Sequence, residues 1–305
     1  MQLDIFLRTY DGDSVHPRRF DKPKKDIVWR CVRSLCTAIK ALPEQPHLTI
    51  LDDHSTAETV QFLRDETAFL GENITIQTLE GTGNNDSMLA ALTLAKESTA
   101  DLVYVIEDDY LHYPNALTVA LETWQKFRPR CPLPFMAMTL VDCPSNYIDD
   151  SDDLKGLPRN DRGDGSVGMI VGGTDRPWRT IGHTGVTFLL EKGVLQKHWG
   201  PFNEIARYWP YLEERTTINK LWNTEIALLG PLAPLSYHLW EDHPFYPVGD
   251  LWEQNESPTK NEEQVLCMHM LKKTAAEIIW AHCLKSGEMY PVCICLMVMM
   301  NISRL

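Results

Sequence analysis

Three consecutive carboxylates, Glu107, Asp108 and Asp109, directly follow a short apolar run in the sequence. The run from Leu102 to Ile106 contains two valines and an isoleucine, which is typical of a buried strand. Carboxylates are rarely buried without a cation beside them, and their hard oxygen atoms suit Mg²⁺ or Mn²⁺. The alternative is an acidic turn that points into water. The triplet therefore marks a candidate metal site at the end of a core strand.

Other residues with useful chemistry also stand at the ends of predicted strands. They are Arg8, Thr9, Asp52, Asp53, Gly81, Gly83, Asp142 and His238. Predicted strands alternate with predicted helices, which indicates βαβ units and a largely parallel sheet. Because ligands of such sheets bind outside the carboxyl ends of the strands, we expect these residues to surround one ligand site.

The elements that must position these residues follow from hydrophobic periodicity and from turn residues. Strands are predicted over residues 3–9, 48–51, 74–79, 102–106, 135–141 and 231–239, with extended character over 178–190. Helices are predicted over residues 26–39, 56–70, 87–96, 114–127, 191–199 and 213–229, the first of them capped by Asp26. Residues 143–176 are rich in Asp, Gly, Asn and Ser, so we expect a long loop that orders over the ligand.

The composition excludes several classes of protein. The net charge of -13, from 42 acidic and 29 basic residues, argues against nucleic-acid binding, which needs a basic surface. Eight cysteines are too sparse for a disulfide framework, and the N-terminus shows no signal-peptide pattern, so a cytoplasmic location is expected. The apolar run over residues 290–301 is too short to cross a bilayer, which needs about 20 apolar residues.

The order of these motifs resembles the nucleotide-sugar half of GT-A glycosyltransferases. The sequence Leu48-Thr-Ile-Leu-Asp-Asp-His-Ser55 is similar to the second-strand motif of the family 2 enzymes. The acidic triplet stands at the Asp-x-Asp position of that family, with Glu107 in place of the common first Asp. The resemblance implies a Rossmann-like α/β fold of the GT-A type, with a mixed, mainly parallel sheet flanked by helices.

The resemblance also divides the chain into functional parts. Residues 1–113 are expected to form the nucleotide-sugar-binding half, and residues 114–260 the acceptor-binding half of the same domain. Residues 261–305 are expected to be an appendage outside the family pattern.

The resemblance implies roles for single residues. Glu107, Asp109 and His238 would hold Mn²⁺ or Mg²⁺, with His243 as the alternative histidine. The expected donor-binding residues are Arg8, Thr9, Asp52, Asp53, Gly81, Gly83 and Asp108. Asp52 and Asp53 have a second interpretation as helix-capping residues. Trp178, Trp209 and Trp222 either stack on sugar rings or belong to the core.

The function predicted from these residues is a metal-dependent, inverting glycosyltransferase. It would use a UDP- or GDP-linked sugar and a saccharide or other hydroxyl acceptor. An inverting transferase needs a carboxylate base, for which the candidates are Glu225 and Asp142. The alternatives are a nucleotidyltransferase that makes nucleotide sugars and a non-catalytic binding protein on the same fold.

Overall fold

The computed structural model describes residues 1–12, 22–142, 169–212, 214–239 and 249–255. The strands are β1 (Leu3–Thr9), β2 (His47–Asp52), β3 (Ile74–Thr78), β4 (Leu102–Glu107), β5 (Tyr110–His112), β6 (Phe135–Met138), β7 (Ile170–Gly172), β8 (Pro177–Thr180), β9 (Phe188–Glu191), β10 (Ile226–Pro231) and β11 (Ser236–His238). The helices are α1 (Lys24–Lys40), α2 (Ala57–Thr67), α3 (Asn84–Glu97), α4 (Ala116–Phe127), α5 (Lys192–Lys197), α6 (Trp199–Tyr208) and α7 (Gly249–Gln254).

Nine strands form one sheet in the order β3-β2-β1-β4-β9-β6-β10-β8-β7. The strands β1 to β4 are mutually parallel. The next strand, β9, is antiparallel to both β4 and β6, so β6 runs in the same direction as β4. The strand β10 is parallel to β6 and so shares this direction. The strand β8 is antiparallel to β10. The predicted fold class, a mixed and mainly parallel sheet flanked by helices, is thereby confirmed.

Helices cover both faces of this sheet because the strands alternate their side chains between two hydrophobic cores. Ile5 and Leu7 of β1 pack into a core that includes apolar residues of α1 and α4. Phe6 packs into the other core, with residues of α3, α5 and α6. Both faces of β1 are therefore apolar through its middle, and its polar residues, Asp4, Arg8 and Thr9, lie towards its two ends.

The helix α1 begins earlier than predicted. It starts at Lys24, and its N-cap is Pro23, so the prediction that Asp26 caps the helix is wrong. Proline at this position is compatible with a helix start because the first helical N–H groups have no partner within the helix. Asp26 instead lies in the first turn, where a negative charge is favourable.

The predicted helix over residues 213–229 is also wrong. Two short 3₁₀ turns, Glu214–Thr216 and Ile218–Lys220, are followed by the strand β10. The sequence Ile-Ala-Leu-Leu-Gly-Pro of β10 lies almost wholly in the core, where a continuous apolar run suits a central strand. A short apolar run of this kind fits a buried helix and a buried strand equally well, which is why periodicity misassigned it.

Other departures are smaller. The predicted strand over residues 231–239 is divided between the last residue of β10 and the short strand β11, and the helix α6 was not predicted. Of the predicted loop over residues 143–176, residues 143–168 lie outside the described residues, and β7 occupies part of the remainder. Residues 261–305 also lie outside the described residues.

None of the described helices combines the length and apolarity that crossing a bilayer requires.

Candidate active site

The predicted residues of the first four strands meet at one edge of the sheet because these strands pair in register. Arg8 of β1 lies beside Glu107 of β4, and Thr9 lies beside Asp52 of β2. All four residues stand at carboxyl ends of parallel strands, which is where ligands of such sheets bind. We call this edge of the sheet the carboxyl edge.

Glu107 is held by Arg8, whose Nη2 donates to Glu107 Oε1. The other terminal nitrogen of Arg8, Nη1, donates to Asn84 Oδ1 at 2.8 Å and to Ser87 Oγ at 3.1 Å, both in the first turn of α3. The Arg8 side chain is buried. Arg8, predicted to bind the donor, therefore connects the acidic triplet to α3.

Asp108 has a different cation. Its Oδ1 lies 2.5 Å from Lys24 Nζ at the start of α1, and its Oδ2 accepts from the Tyr10 backbone N–H at 2.6 Å. Burial alone would lower the pKa of Lys24, but the carboxylates of Asp108 and Asp109 raise it above its ordinary value. Asp108 was also predicted to bind the donor. Each of its oxygens instead has a partner within the protein, Lys24 for Oδ1 and the Tyr10 N–H for Oδ2.

Asp109 is joined to His238 by the small antiparallel ribbon of β5 and β11. Tyr110, which follows Asp109, pairs in register with His238, and their rings stack at 4.6 Å. His238 Nε2 lies 3.4 Å from Asp109 Oδ2. Although burial opposes its ionisation, His238 lowers the pKa of Asp109 below its ordinary value. The second oxygen, Asp109 Oδ1, is buried and has no hydrogen-bond partner among the described residues.

Glu107, Asp109 and His238 fit a divalent metal. One ligand atom from each residue lies within 4.8 Å of the others. Two carboxylate oxygens and one imidazole nitrogen form a donor set suited to Mn²⁺ or Mg²⁺, and the buried Asp109 Oδ1 needs a cation or donor. The alternative ligand His243 lies outside the described residues.

Asp52 and Asp53 divide into two roles. Asp52 is buried, accepts from Thr9 Oγ1 at 3.0 Å and accepts from the Ser55 N–H at 3.0 Å, so it holds the turn after β2. Asp53 accepts from the Gly83 N–H at 2.6 Å and lies 3.3 Å from the ring of His54. The N-cap of α2 is Thr56, so neither aspartate caps this helix.

Gly83 is the glycine that the turn between β3 and α3 requires. Gly83 has φ +89°, a conformation that favours glycine, and it is the N-cap of α3. A side chain at Gly81 would meet Asp86, since its Cβ would lie 2.2 Å from Asp86 Oδ2. The turn brings the Gly83 N–H to Asp53 and so belongs to the carboxyl edge.

The two candidate bases lie in different places. Glu225 immediately precedes β10, which runs towards the carboxyl edge, so Glu225 is at the opposite edge of the sheet. It is half-exposed and pairs with Lys197 at 3.2 Å. Asp142 follows β6 at the carboxyl edge, is buried, and lies 3.2 Å from Arg179 Nη2. The structure therefore does not bring Glu225 to the site.

The tryptophans considered for sugar stacking are mainly core residues. Trp178 and Trp222 are buried, and Trp209 packs against the core as a partly buried residue. The Asn85 side chain donates to the Trp209 carbonyl at 2.9 Å, so Trp209 lies beside the first turn of α3.

A cavity of about 570 Å³ lies at the opposite edge of the sheet, lined in part by Asp101, Arg128 and Glu191. Its carboxylate Glu191 is ion-paired with Arg128, and Asp101 accepts from the Gln2 N–H. No buried polar atom without a partner belongs to its lining among the described residues. The carboxyl edge, which holds the buried Asp109 Oδ1, is therefore the better candidate for the active site.

Residues 21–141 match the model of a protein family described as glycosyl transferase family 2. The matched stretch includes Asp52, Asp53 and the acidic triplet. The predicted resemblance to this family of GT-A glycosyltransferases is thereby confirmed. A comparison with curated proteins finds no match.

A search of solved structures finds chains that are similar to this one at low sequence identity. The chain is similar to TarS 1-349 from S. aureus in complex with UDP, at 14% identity and a TM-score of 0.45, over 78% of this chain and 60% of that one. The chain is also similar to TarS 1-349 in complex with UDP-GlcNAc, at 11% identity and a TM-score of 0.42, over 83% of this chain and 64% of that one. A third similar structure is the mannosyltransferase PcManGT from Pyrobaculum calidifontis in complex with GDP-Man and Mn2+. Its identity is 16% and its TM-score 0.32, over 47% of this chain and 36% of that one. The chain thus spans about 60% of the first TarS structure.

Proposed function

We propose that the protein is a metal-dependent glycosyltransferase that moves a sugar from a nucleotide-diphosphate donor to an acceptor hydroxyl with inversion. The observation that carries the proposal is the buried Asp109 Oδ1 beside Glu107 and His238 at the carboxyl edge, since this oxygen has no hydrogen-bond partner among the described residues. The family match over residues 21–141 supports the same conclusion.

The ligand set proposed for Mn²⁺ or Mg²⁺ is Glu107, Asp109 and His238. A bound divalent ion would act as a Lewis acid that stabilises the negative charge of the leaving diphosphate. Arg8 holds Glu107 in place, and the ribbon of β5 and β11 holds His238 beside Asp109. Glu107 and His238 are thus positioned by groups outside the ligand set, as precise coordination requires.

The donor is proposed to lie across the carboxyl ends of β1, β2 and β3. Asp53 can accept a hydrogen bond from a nucleobase N–H, and the Gly81–Gly83 turn lets the backbone approach the ligand closely. Thr9, Asp52, Arg8 and Asp108 support this surface through their internal hydrogen bonds. Residues 1–113 are proposed to form the donor-binding half of the domain, and residues 114–260 the acceptor-binding half.

Asp142 is the proposed base, since of the two candidates it alone lies at the carboxyl edge. Arg179 Nη2 donates to Asp142 Oδ1 at 3.2 Å and so helps to hold this carboxylate in place. The proposed location is the cytoplasm, in agreement with the free thiols of Cys31, Cys36 and Cys131.

Thermal unfolding tests the proposal with UDP-, GDP- and dTDP-sugars, each measured in Mn²⁺ and in EDTA. We expect one nucleotide class to raise the unfolding midpoint in Mn²⁺ and not in EDTA. Equal stabilisation in EDTA would contradict the metal site. Release of pyrophosphate from a nucleoside triphosphate and a sugar phosphate would favour the nucleotidyltransferase, and binding without turnover would favour a non-catalytic protein.

A further inference from the structure

The ribbon of β5 and β11 has two faces, and only one of them carries a proposed metal ligand. Tyr110 and His238 pair in register and their rings stack, so both side chains lie on the face towards Asp109. Side chains alternate along a strand, so Leu111 and Tyr237, which also pair in register, lie on the opposite face. An isolated two-stranded ribbon is only marginally stable in water. The position of His238 therefore depends on what covers the second face.

A small hydrophobic cluster covers this second face and is separate from the two cores of the main sheet. Its members are buried and come from α1, from the ribbon or the residue directly after it, and from α7. They are Ile27, Cys31, Leu111, Tyr237, Leu239, Leu251 and Trp252, which we call the back cluster. The Leu239 N–H donates to the Asp109 carbonyl oxygen at 2.9 Å. The back cluster is thus connected directly to the backbone of a proposed metal ligand.

Trp252 is fixed within the back cluster by Arg30 of α1. Arg30 Nη1 donates to the Trp252 carbonyl oxygen at 2.7 Å, and the Arg30 guanidinium lies 4.2 Å from the centroid of the Trp252 ring. Arg30 and Trp252 are both buried, and a desolvated cation–π contact is stronger than an exposed one. The backbone and the ring of Trp252 are therefore both held by α1, which gives this residue a defined position behind the ribbon.

We propose that Trp252, held by Arg30, is a positioning residue for the metal site. It supports the ribbon from behind and thereby keeps His238 beside Asp109. This inference rests on the proposed function, because the ligand set is itself a proposal. Groups that orient metal ligands without touching the metal typically account for about 10–100-fold in metal affinity.

The test measures the dissociation constant of Mn²⁺, added alone, by electron paramagnetic resonance at a temperature at which every variant is folded. Trp252→Ala removes the ring behind the ribbon and keeps all three proposed ligands. We expect this variant to bind Mn²⁺ about tenfold more weakly than the wild type. Trp252→Phe keeps an aromatic ring beneath the Arg30 guanidinium, so its affinity should stay within about twofold of the wild type.

The matched control is Trp29→Ala, which removes another tryptophan that packs on α1. Trp29 stacks on Phe62 of α2 at 4.5 Å and is not a member of the back cluster. Its loss should lower the unfolding temperature and leave the Mn²⁺ affinity within about twofold of the wild type. If Trp252→Ala does not fold, Arg30→Met replaces it, because it removes the hydrogen bond and the cation–π contact but keeps an apolar side chain. The same tenfold loss is expected, as an order of magnitude.

The outcomes separate the inference from the proposed function. Wild-type Mn²⁺ affinity in Trp252→Ala, or in Arg30→Met where that variant replaces it, would overturn the inference. An equal loss in Trp29→Ala or in Trp252→Phe would also overturn it, and in each of these cases the proposed transferase would stand. Failure of the wild type to bind Mn²⁺ would overturn the proposed metal site, and the inference with it.

Discussion

The two halves of the sheet arrange their carboxylates differently. In the half formed by β1 to β4, all strands are parallel, and each carboxylate of the triplet meets a basic side chain from a separate segment. In the half formed by β9, β6, β10 and β8, strand directions are mixed, and Asp142 and Glu225 lie at opposite edges. A residue at the end of a parallel strand has a predictable position, whereas in a mixed sheet the direction of every strand must be known first.

The largest effect is expected for Asp109→Asn, which tests the parallel half. Asparagine keeps the shape of the side chain but removes the negative charge beside Glu107 and His238. Metal-dependent stabilisation by nucleotide should disappear, and turnover should fall at least about 10³-fold, since metal ions contribute several kcal/mol to such transition states. Thermal shift with and without Mn²⁺ and a donor-turnover assay measure both quantities.

Asp101→Asn is the control for this change. Asp101 directly precedes β4 at the opposite edge of the sheet, where it accepts from the Gln2 N–H at 2.8 Å. Its substitution should leave the response to Mn²⁺ unchanged. If Asp101→Asn and Asp109→Asn behave alike, the difference between the two ends of β4 has no functional meaning.

The second prediction concerns Asp142 in the mixed half. If Asp142 takes the proton of the acceptor, Asp142→Asn should lower turnover by about 10²–10⁴-fold and leave the affinity for the nucleotide unchanged. Arg179→Met separates this role from a structural one, because it breaks the same ion pair and keeps the carboxylate. Turnover that survives in Asp142→Asn would remove the base assignment.

The third prediction concerns stability in the parallel half. Lys24→Met leaves the buried Asp108 without its cation, so unfolding free energy should fall by about 3–5 kcal/mol. The double change Lys24→Met with Asp108→Asn removes both charges and should restore part of the loss. Chemical denaturation measures all three proteins. A loss for Lys24→Met below 1 kcal/mol would show that the pair is not effectively desolvated.

The smallest effect is expected for Glu225→Gln. Its partner Lys197 is half-exposed, and surface ion pairs of this kind contribute about 0–1 kcal/mol. Turnover should stay within about twofold of the wild type because Glu225 lies at the opposite edge from the metal ligands. A steady-state assay decides the point, and a large loss of turnover would mean that the carboxyl edge is not the place of reaction.

The sequence was sufficient to predict the fold class and the convergence of β1, β2 and β4. Their apolar runs are short and continuous, and polar residues begin where each strand ends. The ligand set of Glu107, Asp109 and His238 was also proposed from the sequence, and the structure brings these residues together. Their proximity could be anticipated because His238 ends an apolar segment, although nothing in the sequence specified the pairing of β11 with β5.

Internal partners could not be predicted from the sequence. Nothing distinguishes Lys24 from the neighbouring Lys25, yet Lys24 is buried against Asp108 while Lys25 pairs with the exposed Glu58. Arg8 and Asp108 were predicted to bind a ligand because the sequence shows their charge and not their partners. Trp252 was missed for a similar reason, since its position depends on tertiary contacts with Arg30 and the back cluster.

The two oxygens of Asp108 have a consequence for stability. One accepts from Tyr10 at the end of β1 and the other from Lys24 at the start of α1, so a single carboxylate fixes both ends of the intervening connection. Substitution of Asp108 should therefore loosen the end of β1 and the start of α1 together, so one buried carboxylate couples the stability of these two elements.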